Sequence, residues 1–119
     1  MGLDITMSYR PKSDYAELTT FGYNNPLFAW VEKHIIEEID IDTEVLITLE
    51  NLQKLRDTLE QLNETNCQEL FPVDDDLYYG VQEYNQDYWN CVAELKRWVT
   101  DTLSTFDFEK NDLLLTAWW

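Results

Sequence analysis

Asp87–Trp119, DYWNCVAELKRWVTDTLSTFDFEKNDLLLTAWW, decides the fold, because a helix pattern and a strand pattern stand side by side in it. Tyr88, Cys91, Val92, Leu95, Trp98, Val99 and Leu103 recur at spacings of three and four. That spacing puts them on one face of an α-helix. Asp87, Asn90, Glu94, Arg97 and Asp101 share the opposite, water-facing side, and Phe106 continues the apolar stripe. After it Leu113, Leu115, Ala117 and Trp119 alternate with Leu114, Thr116 and Trp118. A strand apolar on both faces belongs in the middle of a sheet.

Working back toward the N-terminus, Leu3, Ile5, Met7 and Tyr9 alternate with Asp4, Thr6, Ser8 and Arg10, a half-buried strand that Pro11 ends. Residues 12–22 are polar without clear periodicity, and Gly22 marks a break. Asn24-Asn25-Pro26 starts a helix, with an Asn cap and Pro at the first helical position. Its apolar face is Leu27, Trp30, Val31, His34 and Ile35, and it is expected to run to about Glu38. Val45, Leu46 and Ile47 read as a short strand. Thr48 caps a second helix whose stripe is Leu49, Leu52, Leu55, Leu59 and Leu62. Asn63-Glu64-Thr65-Asn66 ends it in turn-forming residues. Pro72 and Asp74-Asp75-Asp76 form a loop, and Leu77 to Val81 suits another strand, with Gly80 a point for a bulge. The expected fold class is α+β: one domain, residues 1–119, with a small mixed or antiparallel sheet of about four strands covered by three helices.

Among 119 residues, 24 are acidic and 8 basic, a net charge of -16. The 45% hydrophobic content supplies a core and argues against disorder. So acidic a surface repels nucleic acid and anionic membranes and attracts basic surfaces. Direct nucleic-acid binding needs a basic patch interleaved with aromatics, and here acidic residues outnumber basic ones three to one. No apolar run approaches the roughly 20 residues that span a bilayer. No basic stretch followed by an apolar run opens the sequence, so a cytoplasmic protein is expected. Cys67, in a polar segment, and Cys91, in a helical pattern, are expected to be free thiols.

Complete catalytic sets do not assemble. The one histidine, His34, sits mid-helix between apolar neighbours and reads as a partly buried structural residue. One His and two distant Cys do not make a zinc site. Asp74-Asp75-Asp76 fails the calcium-loop pattern, since Tyr78 and Tyr79 stand where an oxygen ligand and Gly are required. Three scattered glycines build no phosphate cradle. Met1-Gly2-Leu3-Asp4-Ile5-Thr6 fits the myristoylation template but reads better as a core strand. No enzyme activity, cofactor or metal is expected.

The acidic residues therefore carry the functional expectation. Glu37, Glu38, Asp40, Asp42 and Glu44 cluster from the end of the first helix into the following strand. Glu60, Glu64 and Glu69 follow the second helix, and Asp74, Asp75 and Asp76 come soon after. B-DNA carries one negative charge per ~1.7 Å of axis. Carboxylates rigidly placed at comparable density imitate a run of phosphates. The alternative to this imitation is a charged surface that serves solubility alone.

The order and spacing of several short segments resemble a family of small phage and prophage proteins of unknown function. They are Met1-Gly2-Leu3-Asp4; Phe21, Tyr23, Phe28, Ala29 and Trp30; Leu49, Leu52 and Leu55; Leu70-Phe71-Pro72 leading to Tyr78-Tyr79-Gly80; Glu83-Tyr84; Tyr88-Trp89; Phe106-Asp107-Phe108; and Trp118-Trp119. Some members bear a name like that of a glycolytic kinase, but this chain is too short for two kinase lobes and has no phosphate motif. The resemblance implies a phage origin and no established activity. Phage genomes encode small acidic proteins that block host defence enzymes.

The leading expectation is a phage-encoded, non-enzymatic inhibitor acting in the bacterial host cytoplasm. Its acidic, DNA-mimicking surface would bind a basic, nucleic-acid-handling host protein, a CRISPR effector or a restriction enzyme. The second is a phage scaffold or assembly protein that binds through exposed aromatics, among them Trp89, Trp118 and Trp119, as a homodimer or with another chain. The third is a small enzyme with a pocket around His34.

Overall fold

The computed structural model describes residues 3–11, 16–22, 24–41, 43–73 and 83–118. Four strands, β1 (Asp4–Pro11), β2 (Ala16–Gly22), β3 (Val45–Ile47) and β4 (Asn111–Trp118), form one antiparallel sheet in the order β2-β1-β4-β3. Helices α1 (Asn25–His34), α2 (Leu49–Gln61), the short α3 (Cys67–Leu70) and α4 (Gln86–Thr105) accompany it. The class is α+β, as the sequence predicts.

Alternation in the strands sets the layering. Ile5 and Met7 of β1, Leu113, Leu115 and Ala117 of β4, and Val45 and Ile47 of β3 are all buried. They share a core with Leu27, Trp30 and Val31 of α1, Leu52, Leu55 and Leu59 of α2, and Tyr88, Val92, Leu95 and Val99 of α4. The other sheet face carries Asp4 and Thr6, but Ser8 and its register partner Leu114 are buried there too. β4 lies between β1 and β3, the central position its two-sided apolar pattern requires.

Local signals explain the helix starts. Asn24 accepts from the Leu27 amide at 3.2 Å, with Pro26 in the first turn of α1. Thr48 and Asn51 form a reciprocal capping box: Thr48 Oγ1 accepts from the Asn51 amide at 3.1 Å, and Asn51 Oδ1 accepts from the Thr48 amide at 3.0 Å. Asn85 accepts from the amides of Asp87 and Tyr88.

Four expectations need correction. The polar stretch before Gly22 is largely strand β2: its Thr20 faces Thr6 across the ladder, with hydroxyl oxygens 3.1 Å apart, and Phe21 enters the core. α1 stops at His34 rather than near Glu38, because the Glu32 carboxylate accepts from the Ile39 amide at 2.9 Å and the chain folds back to bury Ile39. Leu49 does not join the buried stripe of α2; it is 42% exposed. Cys67, read as lying in a polar segment, is buried at the start of α3. The expected strand 77–81, Asp74-Asp75-Asp76, Asp42 and Trp119 lie outside the described residues.

Candidate functional site

Charged side chains lose hydration on burial, so carboxylates without close partners stay at the surface. Glu37, Glu38, Asp40 and Glu44, in the connection from α1 to β3, are all exposed. So are Glu60 near the end of α2, Glu64 in the turn that follows and Glu69 in α3. Asp42, Asp74, Asp75 and Asp76, the remaining carboxylates of the expected set, fall outside the described residues.

The turn carrying Glu64 is tightly bonded. Asn63 Oδ1 accepts from the amides of Thr65 and Asn66 at 2.9 and 3.1 Å. Asn66 Oδ1 accepts from the Asn63 amide at 2.8 Å, and its side-chain amide donates to the Gln61 carbonyl at 2.7 Å. Two Asn side chains thus hold the backbone of this acidic corner in one conformation. A second brace joins the chain beyond α3 to α4. The Tyr88 hydroxyl donates to the Phe71 carbonyl at 2.7 Å, and the Tyr84 hydroxyl accepts from the Val73 amide at 3.0 Å. The two rings meet edge to face at 5.0 Å. Burial pushes the Tyr88 hydroxyl far above the usual phenol range, so it stays a donor at any physiological pH.

The sequence reading left other carboxylates out of the candidate surface. Asp87, Glu94 and Asp101 recur every seven residues on the exposed side of α4, about 10.5 Å apart at 1.5 Å rise per residue. Glu50 and Asp57 repeat that interval on α2. The seven-residue spacing was the available signal. Arg97 interrupts the α4 stripe, and Arg56 pairs with Asp57 at 3.1 Å. Glu94, Arg97, Trp98 and Asp101 face Thr20 and Phe21 across an open groove of about 410 Å3. Trp98 meets Phe21 edge-on there, at 5.5 Å between ring centres.

His34 is half-buried, its ring tilted 36° against Trp30 with centres 4.7 Å apart. Burial, then the charges of Lys54 and Lys33, pull its pKa below the ordinary value. The neutral imidazole serves as a packing element beside Trp30. Cys67 and Cys91 are both free thiols. Burial, with Glu94 and Asp87 nearby, pushes Cys91 up to about 11, so its thiol is protonated and a poor nucleophile at neutral pH. Among the described residues no group of three His, Cys, Asp or Glu side chains is placed to hold a metal ion. Nor is any helix among them long and apolar enough to cross a membrane. Trp89 is half-buried and packs edge-on against Tyr88 at 5.1 Å.

Comparison of the chain with family models, with curated proteins and with solved structures returns no match.

Proposed function

We propose that this protein is a phage-encoded, non-enzymatic inhibitor that occupies the nucleic-acid-binding surface of a basic host defence protein, a CRISPR effector or a restriction enzyme. The observation that carries the charge-decoy part is the exposure of Glu37, Glu38, Asp40, Glu44, Glu60, Glu64 and Glu69 on a braced scaffold. Magnitude supports it. The Cα atoms extend 42 Å along the longest axis. A DNA duplex of that length carries about 25 phosphates at one charge per ~1.7 Å. The chain carries 24 carboxylates, and 8 basic residues reduce the net charge to -16. Its linear charge is therefore about two-thirds that of the duplex, enough to compete for a surface built to bind phosphates. The phage origin and the host-defence target rest on the sequence resemblance and on this charge.

The test is affinity capture from a bacterial lysate at 50 and 300 mM salt, followed by elution with duplex DNA. A nucleic-acid-binding protein retained at 50 mM, lost at 300 mM and displaced by DNA is the expected result. Retention of partners that neither salt nor DNA displaces would sink the decoy reading.

A further inference from the structure

The groove of about 410 Å3 between β2 and α4 has a strand for one wall, at Thr20 and Phe21, and a helix for the other, at Glu94, Arg97, Trp98 and Asp101. The strand wall is a sheet edge. β2 ends the order β2-β1-β4-β3, and among the described residues it pairs only with β1. A strand paired on one side presents N–H and C=O groups on the other, a template for a further strand. The register is regular from Met7 opposite Thr19 to Asp4 opposite Gly22, and its one shift lies beyond, between Met7 and Ser8. The part of the edge that borders the groove is therefore regular ladder and not bulge. β2, AELTTFG, contains no Lys or Pro, two of the residues that commonly blunt an edge.

The helix wall supplies charge and an aromatic ring. Glu94 and Asp101 are exposed and lie two turns apart, about 10.5 Å at 1.5 Å rise per residue. An extended chain covers that span in about three residues at ~3.4 Å each, so a short segment laid along the groove passes both carboxylates. Arg97 stands between them. Two carboxylates against one guanidinium leave the wall negative, on a chain whose net charge is -16. Trp98 is half-buried, its inner side against Phe21, and it borders the groove. An indole there takes the aliphatic stem or the cationic head of a Lys or Arg side chain.

Edge and charge together select the occupant. An open edge accepts a chain in extended conformation through its backbone, and the helix wall favours basic side chains on that chain. A second copy of this protein would bring its own negative charge against the wall.

We infer that the groove between β2 and α4 is a docking site for an extended, basic segment of a partner protein, which adds to the sheet beside β2 and sets Lys or Arg side chains against Glu94, Asp101 and Trp98. This site is built from residues other than the acidic set assigned to the charge decoy, and it goes beyond that reading.

Three nine-residue peptides of equal charge, all alternating Val and Lys, test the assignment. One is unmodified, and the other two carry N-methyl groups on the Val amides or on the Lys amides, which blocks one or the other edge of the extended peptide. The unmodified peptide is expected to bind and to shift backbone amides of residues 19–22 and 94–101. One methylated peptide should bind at least about tenfold more weakly, and the other should stay within about twofold of the unmodified one. Glu94→Gln with Asp101→Asn should weaken the unmodified peptide about tenfold at 150 mM salt, whereas Glu60→Gln with Glu64→Gln, which removes the same charge elsewhere, should weaken it about twofold or less. All four side chains are exposed, so the melting temperature is expected to hold in both variants. Equal affinities for the three peptides, or equal losses in the two variants, would mean that net charge alone holds the peptide; that would overturn the groove and leave the decoy reading standing. Absence of binding at 50 mM salt would overturn the groove, while the decoy reading is judged by capture from lysate. Dimerisation of the chain with protection of the 19–22 amides, in place of peptide binding, would assign the edge to a second copy and overturn the basic segment.

Discussion

Replacing Tyr88 by Phe removes one oxygen atom and tests the brace between α4 and the chain beyond α3. The hydroxyl donates to the Phe71 carbonyl at 2.7 Å, and both residues are fully buried. The variant keeps the ring and its edge-to-face contacts with Tyr84 and Trp89. It leaves the Phe71 carbonyl without this donor, in a site closed to water. A buried acceptor left unsatisfied costs about 1–3 kcal/mol. With 119 residues and about 2.1 cal/mol/K of unfolding entropy per residue, each kcal/mol lowers Tm by about 4 °C. The expected loss is therefore about 4–12 °C, read by thermal and urea unfolding followed by circular dichroism, with an unchanged urea m-value. Tyr84→Phe, which takes the acceptor from the Val73 amide, should also destabilise. The two substitutions should not add, because they act on the same three-residue segment. A Tyr88→Phe protein within about 1 °C of the parent would refute the brace.

His34 should titrate below 6.5 when its ring protons are followed by NMR. Because its folded pKa is depressed, stability from this group is present above 6.5 and is lost as pH falls below that value. His34→Gln should flatten that part of the stability profile, and a pKa above 6.5 would contradict the packing assigned to the ring. With a net charge of -16, raising NaCl from 20 to 500 mM should screen self-repulsion and raise Tm, whereas a fall would contradict uncompensated like charge. Cys91 should react with iodoacetamide about 100-fold more slowly than a free thiol at pH 7.5, since its thiolate is suppressed; reaction at the free rate would contradict its burial.

Much of the fold was legible in the sequence because local chemistry and tertiary packing agree over long segments. The Asn24 and Thr48 caps, the α4 stripe and the central β4 are set by side-chain type and spacing. The misses lie where a distant contact decides. β2 reads as polar because it is an edge strand whose Thr20 stays exposed and whose Phe21 alone among its described side chains is buried. The early end of α1 depends on a Glu32 to Ile39 bond across seven residues, which no periodicity records. Leu49 falls in register with the α2 stripe, yet the helix begins there and its first residue projects beyond the core.

The candidate site divides in the same way. That Glu37, Glu38, Asp40, Glu44, Glu60, Glu64 and Glu69 reach water follows from the energetics of charge burial, and the sequence sufficed. That Leu46 and Leu49 also reach water did not follow, because the sequence reads Leu46 only as part of a short strand and Leu49 as part of the apolar stripe of α2.

The most direct test of the charge-decoy account is the salt dependence of affinity for a captured host protein, measured between 50 and 300 mM NaCl. The parent chain is compared with a variant carrying Glu37→Gln, Glu38→Gln, Asp40→Asn and Glu44→Gln. The account predicts a loss of about 100-fold or more for the parent across that range, and a shallower slope with weaker low-salt binding for the variant. An affinity constant within about threefold across the range, and identical in the two proteins, would contradict it.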